Sequence, residues 1–263
     1  MINFFNDIFL SALKSYRIFY ILAFQDIKNR YKRSRLGLFW LTINQAFSIT
    51  ILALVFSFLL ETKIKIFFPH LAIGLIVWAY IETTLIELSN SFIESAGMIL
   101  ETNVPLIVHP IRVILRNFII FVHNFLLIVP LTVLIFDVSV SYNIFLLPLS
   151  ILVLTLLIFS IGLIFAIVNL RFRDVNNILL NFLKLSFYLT PIIWTKDIIA
   201  GRAPDWFFYL NPFYYFIEII RSPLLGGESI TYMIFISILF VFVFGFFSIL
   251  ILSKYIKRIS YWV

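Results

Sequence analysis

The densest cationic run in the sequence is Arg30-Tyr31-Lys32-Arg33-Ser34-Arg35, with four cations in six residues. An arginine fork meets two phosphate oxygens at once, and a lysine adds a point charge. Beside an apolar stretch, such a run suits anionic lipid headgroups better than nucleic acid. Arg30, Lys32, Arg33 and Arg35 are therefore candidate phosphate contacts, although they equally serve as a topology signal. Three more ionisable residues, Glu82, Glu87 and Lys184, stand inside apolar stretches. A charge there is costly unless it faces protein or water. Glu82 and Lys184 fall at similar depth when counted along their helices at ~1.5 Å per residue, so they are candidates for a buried ion pair.

Other chemistries are excluded. There is no cysteine, and His70, His109 and His123 have no metal-ligand spacing, so no metal site is expected. The acidic residues Asp197, Asp205, Glu218 and Glu228 are too widely spread for metal or base catalysis of glycosyl transfer. No Gly-x-x-x-x-Gly-Lys-Ser/Thr loop is present to cradle nucleotide phosphates. The chain is expected to have no catalytic residues and to bind no ATP by itself.

A third feature is aromatic. Eight of the eleven residues from Trp206 to Phe216 are Phe, Tyr or Trp, and Asn211-Pro212 splits the run. The residue before a proline resists helical geometry, so two short re-entrant helices are expected within 196–228. Irregular backbone at membrane depth must be buried in protein or line a wet cavity. Flat rings can stack on the C–H faces of sugars, and they also form interfacial belts; composition does not separate these roles. Tyr209 and Tyr214 are the sugar-contact candidates in this segment.

The elements that position these groups follow from hydropathy. The sequence is 62 % hydrophobic and 13 % charged, against about a quarter charged in soluble domains. The surplus must face lipid. Six runs reach the ~20 residues needed to cross the hydrocarbon: Leu38–Leu60, Ile66–Leu88, Asn117–Phe136, Ile144–Leu170, Val175–Thr195 and Ile230–Ser253. The fold class is thus an all-α integral membrane protein with six transmembrane helices. With the N-terminus inside, fourteen Lys and Arg fall in inner segments and five in outer ones, which sets both termini in the cytoplasm. Residues 1–37 form an amphipathic interface segment, with one face carrying Asp26, Lys28, Arg30, Lys32 and Arg33. The 38–253 region is the transmembrane domain, and 254–263 is a cytoplasmic tail.

Three segments carry a family resemblance: Gln25-Asp-Ile-Lys-Asn-Arg-Tyr-Lys-Arg-Ser-Arg-Leu-Gly-Leu-Phe-Trp40, Arg171-Phe-Arg-Asp174, and Asn211-Pro-Phe-Tyr-Tyr-Phe-Ile-Glu-Ile-Ile-Arg-Ser-Pro-Leu-Leu-Gly226. Their order and placement against the spans resemble the ABC-2 type permease subunit of polysaccharide exporters, a group that includes O-antigen, capsule and teichoic-acid transporters. The run Arg116-Asn-Phe-Ile-Ile-Phe-Val-His-Asn124 is more similar to the O-antigen branch than to the capsule branch. Gln45 stands where the family's Asn-Pro pair has its proline, which puts a kink in the first span in question.

The resemblance implies a homodimer with a channel between two copies, and two separate nucleotide-binding subunits supplying ATP and Mg chemistry at the cytoplasmic face. It implies a lipid-linked polysaccharide of the polyprenyl diphosphate type as cargo, in the inner membrane. It also implies a coupling helix in the segment 90–110, with Glu94, Met98 and Glu101 touching the partner. Asn44, Gln45, Ser48, Asn181, Tyr188 and Trp194 are the channel-lining expectation. The competing readings are an ABC-2 exporter of drugs or other lipids, and a secondary transporter. The Asn211-Pro-Phe-Tyr-Tyr segment argues against the first, and the lack of an internal repeat against the second.

Overall fold

The structure is a computed structural model that describes residues 10–11, 14–32, 34–140, 142–195, 204, 206–226 and 230–263. Among the described residues, eleven α-helices follow in chain order. They are α1 (Tyr16–Tyr31), α2 (Phe39–Leu59), α3 (Ile64–Ser89), α4 (Ser91–Glu94), α5 (Ala96–Glu101) and α6 (Val108–Phe136). A 3₁₀ turn (Tyr142–Leu146) leads to α7 (Leu147–Arg171), α8 (Val175–Leu189), α9 (Trp206–Tyr209), α10 (Pro212–Leu225) and α11 (Ile230–Trp262). No strand occurs among the described residues.

Helix α3 is the axis of the bundle. It packs against α2, α6, α7, α8 and α10. Its buried residues run almost all round, from Phe67 to Ser89, as an interior helix requires. The main core joins α3 to residues of α2, α6, α7, α8, α10 and α11. Helices α2 and α11 are its outer staves. They leave Phe47, Phe58, Phe235 and Phe242 exposed, a surface suited to lipid rather than water.

Among the described residues, five helices are long and apolar enough to cross a membrane: α2, α3, α6, the Tyr142–Arg171 unit and α11. The sixth expected crossing is shorter than its hydropathy run. Helix α8 ends at Leu189 because Thr190 precedes Pro191 and takes extended geometry, with ψ 139°. Its 15 residues span only ~22 Å at 1.5 Å each.

Three boundaries differ from expectation. The third span begins nine residues before Asn117. Pro110 does not stop it, since it lies in the first turn of α6, where the N–H donor that proline lacks would have no intrahelical acceptor. Nor does the last helix end at Ser253: it runs unbroken to Trp262. Leu252 and Ile259 bury against Phe92, Ile99 and Ile107 in a second core, so the expected tail is packed helix. The segment 90–110 holds two short helices rather than one, interrupted at Ser95.

The aromatic segment forms α9 and α10, and Asn211 is the break, as expected. Asn211 Oδ1 caps α10 by accepting from Phe213 N at 3.0 Å. Gly226, at φ 75°, ends it in the left-handed region that glycine tolerates. Helix α10 is buried along most of its length against α3, α7 and α11.

Candidate functional site

A cavity of about 660 Å³ opens between α1, α2, α3, α6 and α8. Its wall includes Arg30, Asn44, Gln45, Ser48, Glu82, Lys184 and Tyr188, seven residues singled out from the sequence. Trp78, Asn117, Asn124, Phe187 and Tyr31 also line it. The wall is therefore mixed, with amides, hydroxyls, aromatic rings and isolated charges facing one space. Such a lining offers donors, acceptors and flat apolar area together, the combination that a hydrated sugar chain requires.

The polar wall is built rather than loose. Thr42 Oγ1 donates to Asn124 Oδ1 at 2.7 Å, Asn124 Nδ2 donates to Gln45 Oε1 at 2.9 Å, and Gln45 Nε2 reaches Leu75 O at 3.4 Å. This chain stitches α2, α6 and α3 together. Gln45, found where the family resemblance leads one to expect proline, thus serves as a cross-link, and α2 is one continuous helix.

Glu82 and Lys184 both face the cavity but form no ion pair. Glu82 Oε2 instead accepts from Trp78 Nε1 at 3.1 Å, one turn back on the same helix, while Lys184 stays exposed on α8. The expected pair is corrected to two separate charges on one wall.

The ionic cluster lies at the Arg30 end of the cavity and centres on Glu87. Arg30 Nη2 donates to Glu87 Oε1 at 2.7 Å. Arg116 Nη2 and Asn117 Nδ2 donate to Glu87 Oε2 at 2.6 and 2.7 Å. Arg116 Nη1 also holds Asp26 at 2.9 Å, and Arg112 meets Asp26 at 2.8 Å. Helix α1 is thereby clamped to α6 and α3. Burial works against the charge on Arg30, but the hydrogen bond and charge of Glu87 outweigh it and raise its pKa. Burial, the largest effect on Tyr31, raises its phenol above the ordinary range.

The remaining expected residues lie elsewhere. Lys32 and Arg35 are exposed beyond α1, and Arg33 lies outside the described residues. Asn181 is exposed on α8 and does not line the cavity. Trp194 Nε1 donates to Tyr188 O at 3.2 Å, and its ring meets Phe207 and Phe208. Tyr209 and Tyr214 meet edge to face, 6.2 Å apart. Tyr214 lines a second cavity of about 460 Å³ with His70, Glu218 and Arg221. Arg221 is 3 % exposed and is held by Glu218 at 2.7 Å and by Pro191 O at 3.0 Å. Gly74 makes room for its guanidinium, since a Cβ there would collide with Nη2. Glu94 and Glu101 are exposed on α4 and α5, and Met98 is half-buried.

Sequence reasoning missed Asp26, Arg112, Arg116, Asn117 and Asn124 as site residues. One signal was available: Asn117 and Asn124 are seven apart, hence on one helix face. The partner of each arginine, by contrast, lies far away in sequence.

The sequence profile described as ABC-2 type transporter matches residues 17–225. That match spans α1 to α10 and so covers both the cavity and its ionic cluster. This chain belongs to the ABC-2 type transporter family. It is a multi-pass membrane protein of the permease kind. It is similar to an O-antigen export system permease protein RfbA of Klebsiella pneumoniae, 26 % identical over 207 residues, covering 79 % of this chain and 80 % of that one. It is also similar to the protein of that name in Myxococcus xanthus, 25 % identical over 192 residues, covering 73 % and 74 %. Within this ABC-2 permease, the polar cavity sits where the long helices meet α1.

Proposed function

We propose that this chain is the membrane-spanning subunit of an ABC exporter that moves a lipid-linked polysaccharide, O-antigen, across the cytoplasmic membrane. The relatives named above support the cargo. The observation that carries the reading is the cavity itself: polar groups of α2, α3, α6 and α8 share one wall with Arg30 at its ionic end. A sugar chain suits the wall, and a lipid diphosphate suits the basic mouth.

Both termini are cytoplasmic in this reading, as the distribution of Lys and Arg requires. Two copies form a homodimer and enclose the channel. Two nucleotide-binding subunits dock below, and they hold ATP and Mg. Helices α4 and α5 offer Glu94, Met98 and Glu101 to that partner. Their backs, Phe92 and Ile99, are fixed in the second core with α7 and α11, so a push on them moves the long helices.

The test is complementation in a strain lacking its own O-antigen permease. Surface O-antigen should return only when this chain and its nucleotide-binding partner are expressed together, and the two should co-purify with a second copy of the permease. Restored export without the ATPase subunit, or drug export with no polysaccharide at the surface, would refute the proposal.

A further inference from the structure

Arg30 belongs to two structures at once. It lines the cavity, and its Nη2 holds Glu87 Oε1 at 2.7 Å. Asn117 does the same, lining the cavity while donating to Glu87 Oε2 at 2.7 Å. Glu87 is not part of the wall, nor is its third donor, Arg116. Two of the three donors that hold Glu87 are therefore presented to an occupant of the cavity. Arg30, Arg112 and Arg116 pair directly with two carboxylates, Asp26 and Glu87, and Glu94 adds a third within electrostatic reach of all three. Arg30 is the most exposed of the five directly paired residues, at 40 %.

We propose that the phosphate oxygens of a lipid-borne diphosphate displace Glu87 from Arg30 and Asn117, so that cargo arrival opens a clasp between α1 and α3. The inference rests on the proposed function and adds a sensing step to it. A diphosphate carries more charge and more acceptor oxygens than a carboxylate, and it matches the arginine fork. Displacement strands no buried charge, because Glu87 keeps Arg116 at 2.6 Å and Arg116 keeps Asp26 at 2.9 Å. Among the described residues, Arg30–Glu87 is the one ion pair joining α1 to α3, whereas α1 remains tied to α6 through Asp26. Its loss frees the end of α1 at the cavity without detaching the helix.

The test uses the assembled permease–ATPase complex in nanodiscs, with a long-chain polyprenyl diphosphate as the probe. Inorganic diphosphate and raised phosphatidylglycerol serve as separate arms. Glu87→Gln should bind the probe about tenfold tighter, because a competing charge-assisted hydrogen bond is removed. Arg30→Gln should bind it about tenfold weaker, and adding Glu87→Gln to that variant should recover only the smaller part that Asn117 carries. Unchanged or weaker binding by an assembled Glu87→Gln complex would overturn the clasp.

A second readout does not depend on that variant. The chain has no cysteine, so Lys28→Cys on α1 and Leu100→Cys on α5, both exposed, can be spin-labelled once each per permease copy, with a cysteine-free ATPase subunit and the doubly labelled copy diluted into unlabelled copies. Added probe should change the distance between them, and a constant distance with probe bound would also sink the idea. An equal response to inorganic diphosphate or to phosphatidylglycerol would assign the cluster to free anions or headgroups and overturn the proposed ligand. No probe binding by the unaltered complex would overturn the polysaccharide reading, and the clasp with it.

Discussion

Asn169 donates its side-chain amide to Asn90 Oδ1 at 3.0 Å, tying the end of α7 to the residue that separates α3 from α4. The same amide reaches Ser89 O at 3.0 Å, and Asn169 Oδ1 accepts from Asn176 N at 3.1 Å. Asn176 Oδ1 in turn accepts from Ser89 Oγ at 2.8 Å. The base of the proposed coupling segment is thus bonded to the first turn of α8, and α8 carries Lys184 and Tyr188 on the cavity wall. Asn169→Leu should leave partner docking intact, cost about 1–3 kcal/mol through the polar groups it strands, and lower export per ATP hydrolysed. Simultaneous measurement of ATPase rate and surface polysaccharide checks this. An unchanged ratio would make the cluster a purely structural rivet.

The exposed carboxylates on the short helices give a complementary prediction. Glu94 and Glu101 project from α4 and α5, while Phe92 and Ile99 anchor the other side. Reversing both charges should disturb a partner surface rather than the bundle. The double variant Glu94→Lys, Glu101→Lys should insert normally and retain its melting behaviour, but export should fail and partner ATPase should no longer respond to assembly. Normal export by the double variant would remove these helices from the coupling role.

Buried and exposed ion pairs should behave very differently here. Arg116 is 5 % exposed and serves both Asp26 and Glu87. Arg116→Met would leave Asp26 with Arg112 alone and Glu87 with Arg30 and Asn117, removing two charge-assisted hydrogen bonds of about 1.5–3 kcal/mol each. Lys65 and Asp137 lie 3.6 Å apart with side chains 63 % and 93 % exposed, and Lys65→Gln should cost no more than about 1 kcal/mol. Thermal unfolding of the two variants in the same detergent measures the contrast.

Much of this was legible in the sequence, for reasons that differ by feature. The long helices were visible because lipid demands ~20 apolar residues in a row. The break at Asn211-Pro212 was visible because proline acts locally. Asn44, Gln45 and Ser48 fall on one wall because Ser48 lies four residues from Asn44 and three from Gln45, the spacings that share a helix face. The Glu87 cluster was not legible. Its members come from α1, α3 and α6, and no local pattern announces that Asp26 will meet Arg116 ninety residues on. The Glu82–Lys184 error has the same root: matched depth was readable, but the closer partner, Trp78, was overlooked. The end of α11 was misplaced because charge pattern marks where a helix leaves lipid, not where it stops being helical.

Tyr188 offers the sharpest test of what the cavity does. Its side chain is 69 % exposed, it lines the cavity, and its ring meets Phe187 edge to face with centroids 5.3 Å apart. The tie between Trp194 and this residue uses the Tyr188 carbonyl, so replacing the side chain leaves that hydrogen bond in place. An exposed ring with little packing to lose should matter only if something stacks on it. Tyr188→Phe keeps the flat face and should export near the normal level, whereas Tyr188→Ala should export less, by about the 0.5–1.5 kcal/mol of a ring–face contact, roughly two- to tenfold. Neither should change melting by more than the surface-substitution range of about 0.5 kcal/mol. Equal export by both variants would mean that the chain passes without stacking there, and the sugar path would have to be sought among the amides of α2 and α6.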